Sequence, residues 1–215
     1  MEKYKILNLY ACLGGNRYKW DEVADNLEIT AVELDPDLAR MYQKRFPNDT
    51  VIVADAHQYL LDNYKEFDFI WSSPPCPTHS KARFAGYGDS NPVYTDMKLY
   101  QEIILLDNSF KGKYVVENVV PYYQPLIPAK KRGRHLYWTN FNLPNILSKR
   151  KSIGMESKGE INQWCEFHEY DFWSYKGTQR KDKIARNLVD YEAGRTILET
   201  VFGIQKQDTK QITMF

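Results

Sequence analysis

Apolar residues come in short continuous runs separated by polar breaks. Such runs, too short for buried helices and rich in β-branched and aromatic side chains, read as buried strands. Residues 5–11, 29–35, 50–54, 66–71 and 113–120 are five of them. Between them the pattern turns helical. The segment after Gly14-Gly15, to about Leu27, can form a helix, Pro36 stands at a first helical position, and another helix starts near His57. Met97, Tyr100, Ile103, Ile104 and Leu105 give residues 95–108 one apolar face. A last helix covers about Asp190 to Phe202. Strands alternating with helices predict an α/β domain with a mostly parallel sheet and helices on both faces.

The 215 residues allow one such domain with a small appendage. Three widely spaced cysteines argue against a disulfide framework and for a reducing compartment. No run of 18 apolar residues exists, and the first residues lead straight into a strand. Neither a membrane span nor a signal or transit peptide is expected, so the chain reads as cytoplasmic. Net charge is only +1, yet residues 1–75 carry 8 Lys/Arg against 13 Asp/Glu, leaving the excess of positive charge to the second half.

Candidate chemistry sits at the carboxyl ends of the strands, where open α/β sheets bind ligands. Strand four runs into Ser72-Ser73-Pro74-Pro75-Cys76-Pro77-Thr78-His79-Ser80. Prolines stiffen that loop, which suits a nucleophile held at a set angle; the alternative is a free thiol beside a proline turn. Gly14 and Gly15 let backbone approach a ligand. Glu33, about 20 residues on, stands where an acid can hold the ribose of an adenosine cofactor, or is a surface charge. Asp55 can accept from an adenine amino group, cap the next helix, or both. Glu117-Asn118 ends strand five as either a site or a satisfied polar network. Residues 77–93 form a long polar loop. Lys130, Lys131, Arg132 and Arg134 open a further strand on which Arg132 and Arg134 share one side, and a second basic cluster occupies 149–151. Residues 160–185 interleave aromatic and basic side chains, as a satellite core or a surface for bases and phosphates. Cys165 and His168 are too few for zinc, and no metal site is expected.

In this order, Tyr10-Ala11-Cys12-Leu13-Gly14-Gly15, Val32-Glu33-Leu34-Asp35, Pro75-Cys76-Pro77-Thr78-His79-Ser80, Glu117-Asn118-Val119 and Arg132-Gly133-Arg134 resemble the cytosine-5 DNA methyltransferase family. The resemblance spans roughly residues 5–140 and resumes at Asn187. It implies a Rossmann-like fold, S-adenosylmethionine as methyl donor, and double-stranded DNA as partner in a bacterial or phage-type chain. The target cytosine would be flipped out of its helix. It implies Cys76, Glu117, Arg132 and Arg134 as catalytic residues. Tyr10, Gly14, Gly15, Glu33, Leu34, Asp55, Pro75 and Asn187 would surround the cofactor. Ser80, Asn118, Lys130 and Lys131 would meet the substrate. Residues 1–140 and 186–204 would form the catalytic domain, 141–185 a small target-recognition insert, and 205–215 a flexible tail.

Three departures stand out. Cys12 replaces a glycine that the family prefers, Pro77 replaces the usual Gln, and the Pro-Gln pair before Arg132 is absent. Ser73-Pro74-Pro75 also resembles the motif of exocyclic amino methyltransferases, which carry an aromatic residue in place of Cys76. An RNA cytosine methyltransferase and a non-catalytic nucleic-acid-binding relative are the other readings. Gln211-Ile212-Thr213-Met214-Phe215 resembles the short motif that docks bacterial proteins on the sliding clamp, or folds back on the core.

Overall fold

The protein is described from a computed structural model covering residues 2–84, 91–150 and 161–204. Seven strands form one sheet: β1 (Tyr4–Leu9), β2 (Leu27–Glu33), β3 (Thr50–Val53), β4 (Phe69–Ser72), β5 (Lys113–Val119), β6 (Lys130–Arg132) and β7 (His135–Thr139). Their order is β3-β2-β1-β4-β5-β7-β6. The first five are parallel, while β7 runs antiparallel to both β5 and β6. The helices are α1 (Pro36–Arg45), α2 (Ala56–Asn63), α3 (Lys98–Ser109), α4 (Ile161–His168), α5 (Lys181–Asn187) and α6 (Tyr191–Val201). This is the Rossmann-like methyltransferase architecture that the sequence predicts.

Alternation along the strands builds the two faces. Leu7, Leu9, Ile70 and Val116 point to one side and pack with Leu60 of α2 and with Ile103 and Leu106 of α3. Ile6, Phe69, Trp71 and Val115 point to the other and pack with Trp20 and with Ile197 and Leu198 of α6. Asp35 starts α1 and Asp55 starts α2, each accepting from two backbone N–H groups of the first turn. Such a cap contributes about 1 kcal/mol.

The first crossover differs from expectation. Instead of a helix to about Leu27 there are turns and one 3-10 turn, Trp20–Glu22. The cause is polar and local. Asn16 exchanges side-chain hydrogen bonds with Asn8 of β1, and Arg17 reaches Asp49 with two, at 2.9 and 3.0 Å. All four side chains are buried, so their partners dictate the backbone. Helix α6 fills the layer instead, with Gly194 so close that a Cβ there would lie 2.1 Å from the Asn16 carbonyl oxygen.

A second correction concerns the basic stretch, which is a hairpin and not one strand. Gly133, with φ +58°, and Arg134 form a two-residue turn, and Arg132 pairs with His135. Arg132 and Arg134 therefore do not share a side of one strand. The aromatics of 161–188 form a satellite core, with Trp164, Phe172, Tyr175, Ile184 and Leu188 closing on Leu13 and Leu38. Among the described residues no helix is long and apolar enough to cross a membrane, and no cluster of potential metal ligands exists.

Candidate active site

The parallel strands end side by side. Leu9 of β1 lies beside Val32 of β2 and Ser72 of β4, and Ser72 beside Val116 of β5. The segments that follow these ends emerge along one edge of the sheet, where the strand order reverses between β1 and β4 and open α/β sheets bind ligands.

The loop after β1 is wound left-handed. Tyr10, Cys12 and Gly14 have φ of +56°, +48° and +68°. A non-glycine residue there costs about 1–2 kcal/mol. Glu33 offsets this: one carboxylate oxygen accepts from the Cys12 N–H at 2.8 Å, the other from the Asp35 N–H at 3.0 Å. This explains the cysteine in a place where glycine is preferred: the backbone is what glycine would adopt, and the side chain packs against the satellite core. Burial first, and then Glu33, push the Cys12 thiol up to about 12, so this cysteine is inert. Burial likewise raises Glu33, while the Asp35 and Cys12 amides pull it back. Leu34 beside it is 69% exposed. A Cβ at Gly15 would lie 2.3 Å from the Val189 carbonyl oxygen, so the chain just past the exposed Asn187 rests on this loop. Burial raises Asp55, but the α2 amides and Lys98 outweigh it and hold the carboxyl below its ordinary range.

The loop after β4 is fixed at both ends. Asn118 donates from Nδ2 to the Pro74 carbonyl at 3.0 Å, and its Oδ1 accepts from the Val119 N–H. The Cys76 carbonyl accepts from the His79 and Ser80 N–H groups. Ser80 bridges to Pro121, and its Oγ accepts from the Ala82 N–H. Asn118 and Ser80, expected to meet substrate, are thus committed to shaping the loop. Pro75 is exposed at its crest. Cys76 is partly buried; burial and then the Glu117 carboxylate raise its thiol, and Lys183 of α5 draws it back. The Asn118–Pro74 hydrogen bond therefore holds the end of β5, with Glu117, against the loop that carries Cys76.

Glu117 on β5 is 7% exposed. Among the described residues its carboxylate accepts no hydrogen bond; it faces His135, with Nε2 3.5 Å from Oε1. Arg134 and Lys131 are exposed. Arg132 and Lys130 are not available. Arg132 donates to the carbonyls of Pro144, Lys131 and Leu143. Lys130 donates to the carbonyl and hydroxyl of Thr139 and to the Phe141 carbonyl. Both cations hold β6 to the end of β7 and the segment that follows it. Arg150 is likewise engaged, with Asp190 and between the Phe167 and Tyr191 rings. Lys151 and the 211–215 motif lie outside the described residues.

Sequence reasoning also missed Glu102. It accepts from Tyr10 Oη at 2.6 Å and Ser72 Oγ at 2.6 Å, and lies 2.9 Å from His57 Nδ1. Tyr10, expected beside the cofactor, spends its hydroxyl here. The signal was present: Glu102 falls on the buried stripe of α3, between Leu99 and Leu106.

Comparisons with known proteins follow this geometry. A mutant of Spodoptera frugiperda DNMT2 is 27% identical over 54% of this chain and 36% of its own, with a TM-score of 0.38. The chain thus spans about a third of that protein's length. A conserved hypothetical protein of Streptococcus pyogenes is 14% identical over 65% of this chain and 86% of its own, TM-score 0.42. A TehB-like SAM-dependent methyltransferase of Corynebacterium glutamicum is 16% identical over 55% and 56%, TM-score 0.37. No curated protein matches. The model for C-5 cytosine-specific DNA methylase matches residues 4–122, more than half of the chain, and the chain belongs to that family.

Proposed function

We propose that the protein methylates carbon 5 of cytosine in double-stranded DNA through a covalent bond from Cys76 to carbon 6. The observation that carries this reading is that Asn118 ties the stiff Cys76 loop to the end of β5, beside a buried Glu117 whose carboxylate accepts no hydrogen bond among the described residues. Carbon 5 of cytosine is a poor nucleophile. Attack by the Cys76 thiolate on carbon 6 makes an enamine-like adduct whose carbon 5 can take a methyl group. Glu117 meets ring nitrogen 3 and stabilises the charge that develops there. Exposed Arg134 reaches the carbonyl oxygen of the base. Water then takes the carbon-5 proton, the electron pair of that bond re-forms the 5,6 double bond, and the carbon–sulfur bond breaks to release the Cys76 thiolate.

S-adenosylmethionine is the family's cofactor and supplies an electrophilic methyl group. The residues present fit it. Each Glu33 oxygen has one amide donor and keeps lone pairs for ribose hydroxyls. Leu34 offers an uncovered apolar side chain beside it. Asp55 spends one oxygen on the α2 amides and the other on Lys98, so adenine would draw on its spare lone pairs. Residues 1–140 and 186–204 act as the catalytic unit in this reading, with 141–185 as the target-recognition insert.

The test is direct. Cys76→Ala should lose methyl transfer to a mixed-sequence duplex and keep its affinity for S-adenosylmethionine. A duplex carrying 5-fluorocytosine should trap the wild type covalently, since fluorine cannot leave as a proton does. An active enzyme that is not trapped at Cys76 would refute the mechanism, and transfer to RNA alone would refute the substrate.

A further inference from the structure

The loop that carries Cys76 runs on into exposed aromatic rings that the reaction does not use. Phe84 is 60% exposed and Tyr122 is 42% exposed. Their rings meet edge-on, with centroids 5.0 Å apart and planes at 79°. That arrangement leaves at least one face of each ring uncovered by the other. Tyr122 in turn meets Tyr123 edge-on at 5.1 Å, and Tyr123 Oη lies 2.5 Å from Nδ1 of the buried His79. The backbone reinforces this chain of rings. The Tyr122 N–H donates to the His79 carbonyl, and the His79 N–H donates to the Cys76 carbonyl. Thr95 Oγ1 lies 3.5 Å from Tyr122 Oη on the other flank. Phe84 and Tyr122 are thus tied to the nucleophile's own backbone.

We propose that Phe84 and Tyr122 are a stacking platform for a nucleobase of the duplex, one exposed when the target cytosine leaves its stack. The inference rests on the proposed function and adds to it a binding surface outside the reacting groups. Three observations favour a base over another apolar partner. Lys81 places an exposed cation on the same 3-10 turn as Phe84, which suits a polyanion. The rings are linked through His79 to the loop of the nucleophile, and extraction of one base uncovers the faces of others. Tyrosine and phenylalanine faces accept any base, so the platform adds affinity without demanding a sequence.

The experiment measures equilibrium binding of the full chain, with S-adenosylhomocysteine present, to a duplex that the wild type methylates. Phe84→Ala and Tyr122→Ala should each bind about 5- to 150-fold more weakly, the range that loss of one stacked base implies. Phe84→Trp and Tyr122→Phe, which keep a ring, should bind as the wild type does. The slope of affinity against salt should not change in any variant, because no phosphate contact is removed. Cofactor affinity and thermal midpoint report on folding, and Phe84, being largely exposed, keeps the test open if Tyr122→Ala fails to fold. Wild-type affinity in Phe84→Ala would overturn the platform while leaving the methyltransferase reading intact. A reduced salt slope would overturn it too, by assigning the loss to phosphates. A wild type that neither binds nor methylates duplex DNA overturns the parent reading and this one with it.

Discussion

Glu102 and Glu117 are both buried carboxylates, 1% and 7% exposed, near neighbouring strand ends, and their surroundings are opposite. Glu102 is met by two hydroxyls and an imidazole within 2.9 Å, drawn from β4, α2 and the loop after β1. Glu117 accepts no hydrogen bond among the described residues and faces the His135 ring at 3.5 Å. A saturated carboxylate holds a scaffold together and has little left to offer a ligand. An unsaturated one keeps its acceptor capacity for whatever enters beside it. Arg132 and Arg134, two residues apart, repeat the contrast: the first is spent on carbonyls, the second faces solvent. Bonding saturation, more than burial or residue type, separates frame from site here.

The sharpest way to break this contrast is to exchange the effects of the two acids. Glu102→Ala strands three donors at the junction of β1, β4 and α2. It should lower stability by about 3–5 kcal/mol, read from urea midpoints. Glu117→Gln should unfold as the wild type does to within about 1 kcal/mol, yet methylate about 10²–10³-fold more slowly. A Glu117→Gln protein that melts early would put Glu117 on the frame side. The arginines give a smaller effect. Arg132→Ala should cost about 1–3 kcal/mol of stability by freeing buried carbonyls. Arg134→Ala should stay within about 0.5 kcal/mol and lower methyl transfer.

The smallest effect is in pH. Glu102, by hydrogen bond and charge, holds His57 above its ordinary value. A base whose folded value is raised stabilises fully below its unfolded value, about 6.5. That contribution fades as pH rises through the folded value. Urea midpoints taken across that window should therefore fall in the wild type, and Glu102→Gln should flatten the part of the fall that belongs to His57.

The parts of the molecule legible in the sequence are those written locally. The runs that became β1 to β5 are apolar over consecutive positions. Pro36 and Asp55 announce helix starts through their own backbone preferences, and Cys76 stands among prolines three to four residues past a strand. What was not legible depends on partners far along the chain. Glu102 gains its meaning from Tyr10, 92 residues away. Arg17 avoids a helix because Asp49, 32 residues on, receives it. The basic stretch from Lys130 to Arg134 looked like a phosphate surface because charge is visible in a sequence and carbonyl acceptors are not. The turn at Gly133 was the one local clue that Arg132 and Arg134 part ways.

The approach of Gly194 to Asn16, and of Val189 to Gly15, has a bearing on how the protein is made. Trp20 donates to the Gly194 carbonyl across 174 residues of chain, a separation that makes this contact slow to form. Translation at about 5–20 residues per second leaves roughly 9–35 s between the two being synthesised. Cys76 and the rest of the sheet are made within that interval, while the loop after β1 still lacks the segment that covers it. The packing around the loop after β1 is therefore completed late, by residues 189–194. A ribosome-bound chain stalled before Val189 would carry all seven strands with that loop still uncovered.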